Sequence, residues 1–209
     1  MKVVEAQTLS ALFVEQPDAK EHLEKITGAL AAALGLATIH RVRQVHGDHI
    51  VIDDSGEGDG LIITRRGTGA IIRTADCFPV VIADADKPLA GIFHCGWRGV
   101  ELQLAAKGAR RLKELGARSL RAALFPGIER CCFKIGPELL DRFAAAGIRV
   151  ETRKGEHFAD LGAALVDQLV GEGIGEIEEV TRCTACTPGL FSYRRDHDSR
   201  RHATLVWLP

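Results

Sequence analysis

No apolar run in this 209-residue chain approaches the ~20 residues that a membrane-crossing helix needs. The first ten residues lack the basic and apolar segments of an export signal. A reducing, cytoplasmic compartment is therefore expected, in which the six cysteines serve as thiols or metal ligands rather than disulfides. A surplus of one charge is also missing. With 27 Lys and Arg against 28 Asp and Glu, the net charge is -1, which gives no general pull toward nucleic acid or an acidic membrane surface. There is no internal repeat, no low-complexity tract and no linker, so a single domain over residues 1–209 is expected.

What is present is a globular composition, nearly half hydrophobic and a quarter charged. The most informative stretch is 69–99, GAIIRTADCFPVVIADADKPLAGIFHCGWRG. It reads as buried strands at 71–74, 80–83 and 90–93, broken at Thr-Ala-Asp-Cys-Phe-Pro around Cys77 and ended by His94. Upstream, Gln44-Val45-His46-Gly47 closes a further strand.

The flanking pattern fills in the scaffold. Pro17 suits the first turn of a helix carrying Leu23, Ile26, Leu30 and Leu34 on one face, stopped by Gly35. Strands are expected at 38–46, 49–54, 61–64, 120–125, 149–152, 178–182, 191–194 and 203–208, and one is possible within 1–16. Helices are expected at 99–115, 137–146 and 158–170. Phe158, Leu161, Leu165 and Leu169 form the inward face of the last. The irregular mixing of strands and helices predicts an α+β fold, one domain with mixed β-sheets packed between helices.

His46, Cys77 and His94 stand at strand ends but far apart in sequence. If the fold gathers them, one thiolate and two imidazoles suit zinc, with a fourth position open as in catalytic sites. Two other readings stand beside this one: a cysteine nucleophile activated by a histidine, and three unrelated residues. Asp76 is either a partner that orients a ligand histidine or a turn residue. Arg98, at a helix start, either builds an anion site with the free N–H groups or pairs with Glu101 at the surface. Cys183-Thr-Ala-Cys186 has the spacing of half a zinc site. Cys131 and Cys132 make a poor second half, because neighbours on a strand point apart, so buried thiols are the preferred reading. His157, His197 and His202 are expected to be solvated. Ser192-Tyr193-Arg194-Arg195-Asp196 is either an anion-binding segment or a solvated strand end.

Five motifs in order then carry a resemblance. They are Gln44-Val45-His46-Gly47, Gly58-Asp59-Gly60-Leu61-Ile62, Thr74-Ala75-Asp76-Cys77-Phe78-Pro79-Val80, His94-Cys95-Gly96-Trp97-Arg98-Gly99 and Phe191-Ser192-Tyr193-Arg194-Arg195-Asp196. Over about residues 38–208 the chain resembles the laccase-domain family, whose members are also called polyphenol oxidases, peptidoglycan editing factors and purine nucleoside phosphorylases. The resemblance implies an α+β fold and zinc held by His46, Cys77 and His94. It also implies phosphorolysis of adenosine, inosine, guanosine or methylthioadenosine, and deamination of adenosine. On that footing Cys77, His94 and Arg98 are the catalytic candidates, while Gln44 (reading the base), Asp76 and Arg194 (an anion site) are the substrate-binding ones. Bacterial relatives imply an alternative, cysteine-dependent amide hydrolysis that removes serine from UDP-linked peptidoglycan precursors. A nucleotide or metal sensor without turnover is a third reading. Copper oxidation fits poorly, since the eight histidines include no His-X-His pair, although copper can enter a soft Cys/His site. Two departures from the family pattern are Cys95, where alanine is usual, and residues 1–37, which are short and unlike the family's substrate-pocket wall. The 125–129 loop, Phe-Pro-Gly-Ile-Glu, departs as well.

Overall fold

A computed structural model describes residues 3–5, 11–16, 20–180 and 182–209. Its strands in chain order are β1 (Val3–Glu5), β2 (Ala11–Gln16), β3 (Thr38–Arg43), β4 (Ile50–Ile52), β5 (Gly56–Glu57), β6 (Gly60–Ile63), β7 (Thr68–Thr74), β8 (Phe78–Asp84), β9 (Ala90–Cys95), β10 (Leu120–Leu124), β11 (Lys134–Ile135), β12 (Arg149–Arg153), β13 (Glu156–Asp160), β14 (Glu176–Glu179) and β15 (Arg201–Leu208). Its helices are α1 (Lys20–Leu34), α2 (Trp97–Glu101), α3 (Leu104–Glu114), α4 (Leu140–Ala145), α5 (Leu161–Gly171) and α6 (Tyr193–Asp196).

Two six-stranded sheets stack face to face. One has the order β1-β2-β15-β7-β3-β5 and the other β14-β10-β8-β9-β6-β4. Each mixes parallel and antiparallel pairs: β3 runs parallel to β7 while β15 opposes it, and β10 runs parallel to β14 while it opposes β8. A small antiparallel sheet, β11-β13-β12, stands beside them.

Period-2 alternation assigns the faces. Phe13, Ile72 and Val206 from the first sheet meet Leu61, Ile63, Val81 and Ile92 from the second. The intervening Ile62, Val80, Ile82 and Phe93 point the other way, onto Val100, Leu104, Ala105 and Leu112 of α2 and α3 and Leu161, Leu165 and Leu169 of α5. On the far side, Val14, Ile71 and Leu205 pack against Leu30 and Leu34 of α1. This is the α+β arrangement of mixed sheets between helices. Because both faces of the second sheet are covered, β8 is buried at every position and reads as an unbroken apolar run.

Several expected elements are corrected. The helix expected at 99–115 is two helices, α2 and α3, separated where Gln103 takes φ 57 and ψ 40. The break seats α3 tightly on the sheet: a Cβ on Gly108 would come within 2.1 Å of the Phe93 ring. Leu115, at the end of that expected helix, is exposed. Phe158 lies in β13, and α5 starts only at Leu161, where the Asp160 carboxylate accepts the Ala163 N–H at 3.0 Å as an N-cap. The strand expected at 191–194 is the start of α6, capped by Ser192. The expected 178–182 strand is β14, shifted toward the N-terminus. His202 is fully buried, not solvated. Its ring lies 4.5 Å from that of Phe13 and 4.8 Å from that of Phe191, and its Nε2 accepts the Phe191 N–H at 2.8 Å. Burial brings its pKa down to about 4. Pro17 lies outside the described residues, while Gly35 follows α1 with φ 65 as a left-handed stop.

Candidate metal centre

The chain crosses from the first sheet to the second between β7 and β8, in the three residues Ala75, Asp76 and Cys77. So short a corner forces Asp76 to φ 83, a strained conformation for a residue with a side chain. Three contacts hold it there. Its carboxylate accepts the Thr184 hydroxyl at 2.6 Å and the Arg194 N–H at 2.7 Å, and its carbonyl accepts the Ile128 N–H at 2.7 Å. The corner places the Cys77 thiol at the seam between the sheets.

His46 and His94 reach the same point from opposite sides. His46 follows β3, next to the outermost strand of the first sheet, while His94 lies near the end of β9 in the second. Their rings are 4.8 Å apart and nearly perpendicular. The ligand atoms of His46, Cys77 and His94 all lie within 4.8 Å of one another. Gly96 permits the approach, because a Cβ there would stand 2.8 Å from the Cys77 sulfur. Cys95, next to His94 on the strand, points to the opposite face and is buried in the helix-side core, where burial drives its thiol pKa far up.

One residue builds this site that sequence reasoning did not single out. Asp59 is fully buried, and its carboxylate accepts the N–H groups of Val45, His46 and Gly47 at 3.1, 3.0 and 2.7 Å. It also bonds His94 Nδ1 at 2.7 Å. It therefore shapes the His46 loop, where His46 has φ 61, and fixes the His94 ring so that Nε2 is left for a ligand. This orienting part was considered for Asp76, whose carboxylate faces Thr184 and Arg194 instead. The available signal was an aspartate between two glycines, Gly58 and Gly60.

The electrostatics follow from the contacts. Burial pushes the Cys77 thiol up, but the charge of His94 and hydrogen bonds with His46 and His94 outweigh it and bring the pKa down to about 6. Burial pushes His94 down, yet the Cys77 thiolate and the Asp59 carboxylate carry it up to about 9. Without metal the pair at neutral pH is thus a thiolate beside an imidazolium. A cation binding here must expel the His94 proton, so its apparent affinity should rise about tenfold per pH unit from neutrality and level off above about pH 9. Calorimetric titration across that range, in buffers of different ionisation enthalpy, reads the expelled proton directly. A pH-independent affinity would mean that His94 is already neutral.

His46, Cys77 and His94 line a cavity of about 1150 Å³. Among the described residues, five arginines line it, Arg41, Arg43, Arg73, Arg194 and Arg201, against one acidic residue, Asp76. Arg194 lies over the Phe133 ring at 5.3 Å and donates to the Lys134 carbonyl at 2.8 Å. Gln44 is on the wall, but both ends of its amide are taken by the Arg73 backbone, at 2.8 and 2.9 Å. Arg98 is outside the cavity, exposed, with its guanidinium 4.4 Å from the Trp97 ring. Among the described residues, the lining begins at Arg41. Ile128, from the altered 125–129 loop, is part of the wall.

Comparison with known proteins agrees with this architecture. The protein is 34% identical over 177 residues to a purine nucleoside phosphorylase of Aquifex aeolicus, covering 82% of this chain and 84% of that one. It is 36% identical over 176 residues to a purine nucleoside phosphorylase of Deinococcus radiodurans, covering 80% and 69%. The fold matches YlmD of Geobacillus stearothermophilus with a TM-score of 0.83, at 21% identity over 97% of this chain and 93% of that one. It also matches YfiH of Bacillus licheniformis with a TM-score of 0.81, at 26% identity over 92% and 83%. A family model described as multi-copper polyphenol oxidoreductase laccase matches residues 9–209, and the chain accordingly belongs to that laccase-domain family.

Proposed function

We infer that this chain phosphorolyses purine nucleosides and deaminates adenosine, with zinc held by His46, Cys77 and His94. The observation that carries the reading is a three-ligand soft site opening into a cavity rich in arginine. Relatives at 34% and 36% identity bear the phosphorylase name. Two imidazoles and a thiolate with a fourth position open favour zinc, and copper is the second choice for so soft a set. Zinc, when bound, supplies a fixed positive charge that polarises a substrate oxygen.

The chain's own groups do the remaining work. In phosphorolysis a phosphate oxygen bonds to the ribose C1′ and the C1′–N9 bond breaks. The electron pair leaves with the purine, which takes up the phosphate's proton. The protein must hold a dianion against the sugar, and the cavity arginines suit that through charge-assisted hydrogen bonds. Arg194, stacked and tethered beside Asp76, is the best placed. Arg98 faces solvent and gives up the phosphate-holding part expected of it. Ile72, Ile128 and Phe133 offer apolar surface to the base, while Gln44 would have to exchange its bonds with Arg73 to read it.

The metal-free thiolate–imidazolium pair favours a second reading, an amide hydrolase with Cys77 as nucleophile acting on serine-containing, UDP-linked peptidoglycan precursors. One experiment separates the two. Zinc-loaded protein is given adenosine with and without phosphate. Adenine and ribose 1-phosphate formed only with phosphate establish phosphorolysis, and inosine formed in both establishes deamination. Neither product, together with amide cleavage that survives chelation, would replace this reading with the second.

A further inference from the structure

Four cysteines outside the cavity come together although the sequence separates them. The sulfurs of Cys131, Cys132, Cys183 and Cys186 all lie within 4.8 Å of one another. Cys131 and Cys186, 55 residues apart in the chain, are 3.7 Å apart at sulfur. Four thiolates around one zinc at ~2.3 Å stand ~3.8 Å from each other at tetrahedral corners. All four are free thiols.

Local structure explains how neighbouring cysteines share a target. Cys131 and Cys132 are not on a strand. They lie in a turn in which the N–H groups of Cys132 and Phe133 both donate to the Glu129 carbonyl at 2.9 Å, so their side chains are not forced to opposite faces. Cys183 and Cys186 flank a second turn, closed by the Thr187 N–H on the Cys183 carbonyl at 3.0 Å, which brings their sulfurs to one side. The reading as buried apolar thiols holds only for Cys183. Cys131 and Cys186 are exposed and Cys132 is half-buried, so core filling does not account for the cluster.

We propose that these four cysteines form a second metal site, a closed tetrathiolate that takes zinc and is structural rather than catalytic. All four positions around the ion are filled by protein, which leaves no place for substrate. Its position gives it a task. Thr184, between two of the ligands, donates its hydroxyl to Asp76 and its N–H to the Gly127 carbonyl at 2.9 Å, and its carbonyl accepts from Arg195 at 3.2 Å. The ion joins this segment to the loop carrying Ile128 and Phe133. It thus braces the strained corner that presents Cys77, without touching the cavity.

The test is a zinc count on protein prepared under reducing conditions and passed through a desalting column. Wild type should retain about two equivalents. C77S should retain about one, and C183S/C186S should also retain about one, lost from the other site. Cobalt substitution of C77S protein should give the intense thiolate-to-metal absorption of four sulfur ligands, which a site with one sulfur does not give. The C77S count needs no variant of the cluster, so misfolding of C183S/C186S would not obscure the answer. C77S protein that retains no zinc and whose remaining thiols are all modified at once in the presence of zinc would overturn the site. So would disulfides at these positions in freshly reduced protein.

Discussion

Cys77→Ala should strip the three-ligand centre of its metal and abolish turnover of adenosine. Loss of a mere orienting partner of a ligand typically costs 10–100-fold in metal affinity, and loss of a ligand should cost more. The corner itself should survive. Asp76 keeps its bonds to Thr184, Arg194 and Ile128, and alanine fits in the space beside Gly96 that the sulfur occupied. The fold should therefore melt as one cooperative unit while the site is empty. The measurement is metal content per chain beside the rate of adenine and inosine formation. Full activity in a Cys77→Ala protein would end both the shared-metal reading and the thiol-nucleophile reading at once, because each runs through that sulfur.

The second large effect is expected at Asp59. An Asp59→Asn side chain keeps the shape but replaces one acceptor oxygen with a donor. Four donors now converge on the two carboxylate oxygens, so at least one buried N–H must face an NH₂ group. An unsatisfied buried donor costs ~1–3 kcal/mol, and metal affinity should fall by 10–100-fold. The sign of a third change is diagnostic. The Asp59 carboxylate helps to hold His94 protonated, so its removal lowers the His94 pKa. Fewer protons should then be expelled when metal binds at neutral pH, and the slope of affinity against pH should flatten. Asp76→Asn, whose carboxylate does not touch His94, should leave that slope unchanged. Equal slopes in wild type and Asp59→Asn would show that Asp59 only shapes the loop.

The grouping of His46, Cys77 and His94 was legible because each ends a short apolar run beside glycine or proline, and because the surrounding motifs occur in a known order. Short unbroken apolar runs also made the central strands of the second sheet plain, since β6, β8 and β9 are buried on both faces. What stayed hidden depends on distance along the chain. Asp59 bonds partners 12 to 35 residues away, and nothing local distinguishes it from a turn aspartate. His202 looked solvated because the two rings that enclose it come from β2 and from residue 191, which meet only in the tertiary fold. The cysteine cluster was discounted on the premise that Cys131 and Cys132 lie on a strand, and the bonds to Glu129 place them in a turn. Arg98 was placed at the site from its helix start, but α2 directs it onto Trp97. The break at Gln103 has no sequence signal that we can identify.

The seam position of Cys77 has a thermodynamic corollary. His46 follows a strand of one sheet, His94 lies in the other, and Cys77 in the chain that joins them. A cation therefore binds only the subpopulation in which the two sheets are in register, and its apparent dissociation constant is the intrinsic one divided by that fraction. Any substitution in the packed interface, even one as remote from the ligands as Phe13 or Val206, enters metal affinity through this fraction. By reciprocity, a bound ion narrows the ensemble of sheet displacements and so stabilises the sandwich as a whole. In this chain, core packing and metal affinity are two readings of one equilibrium.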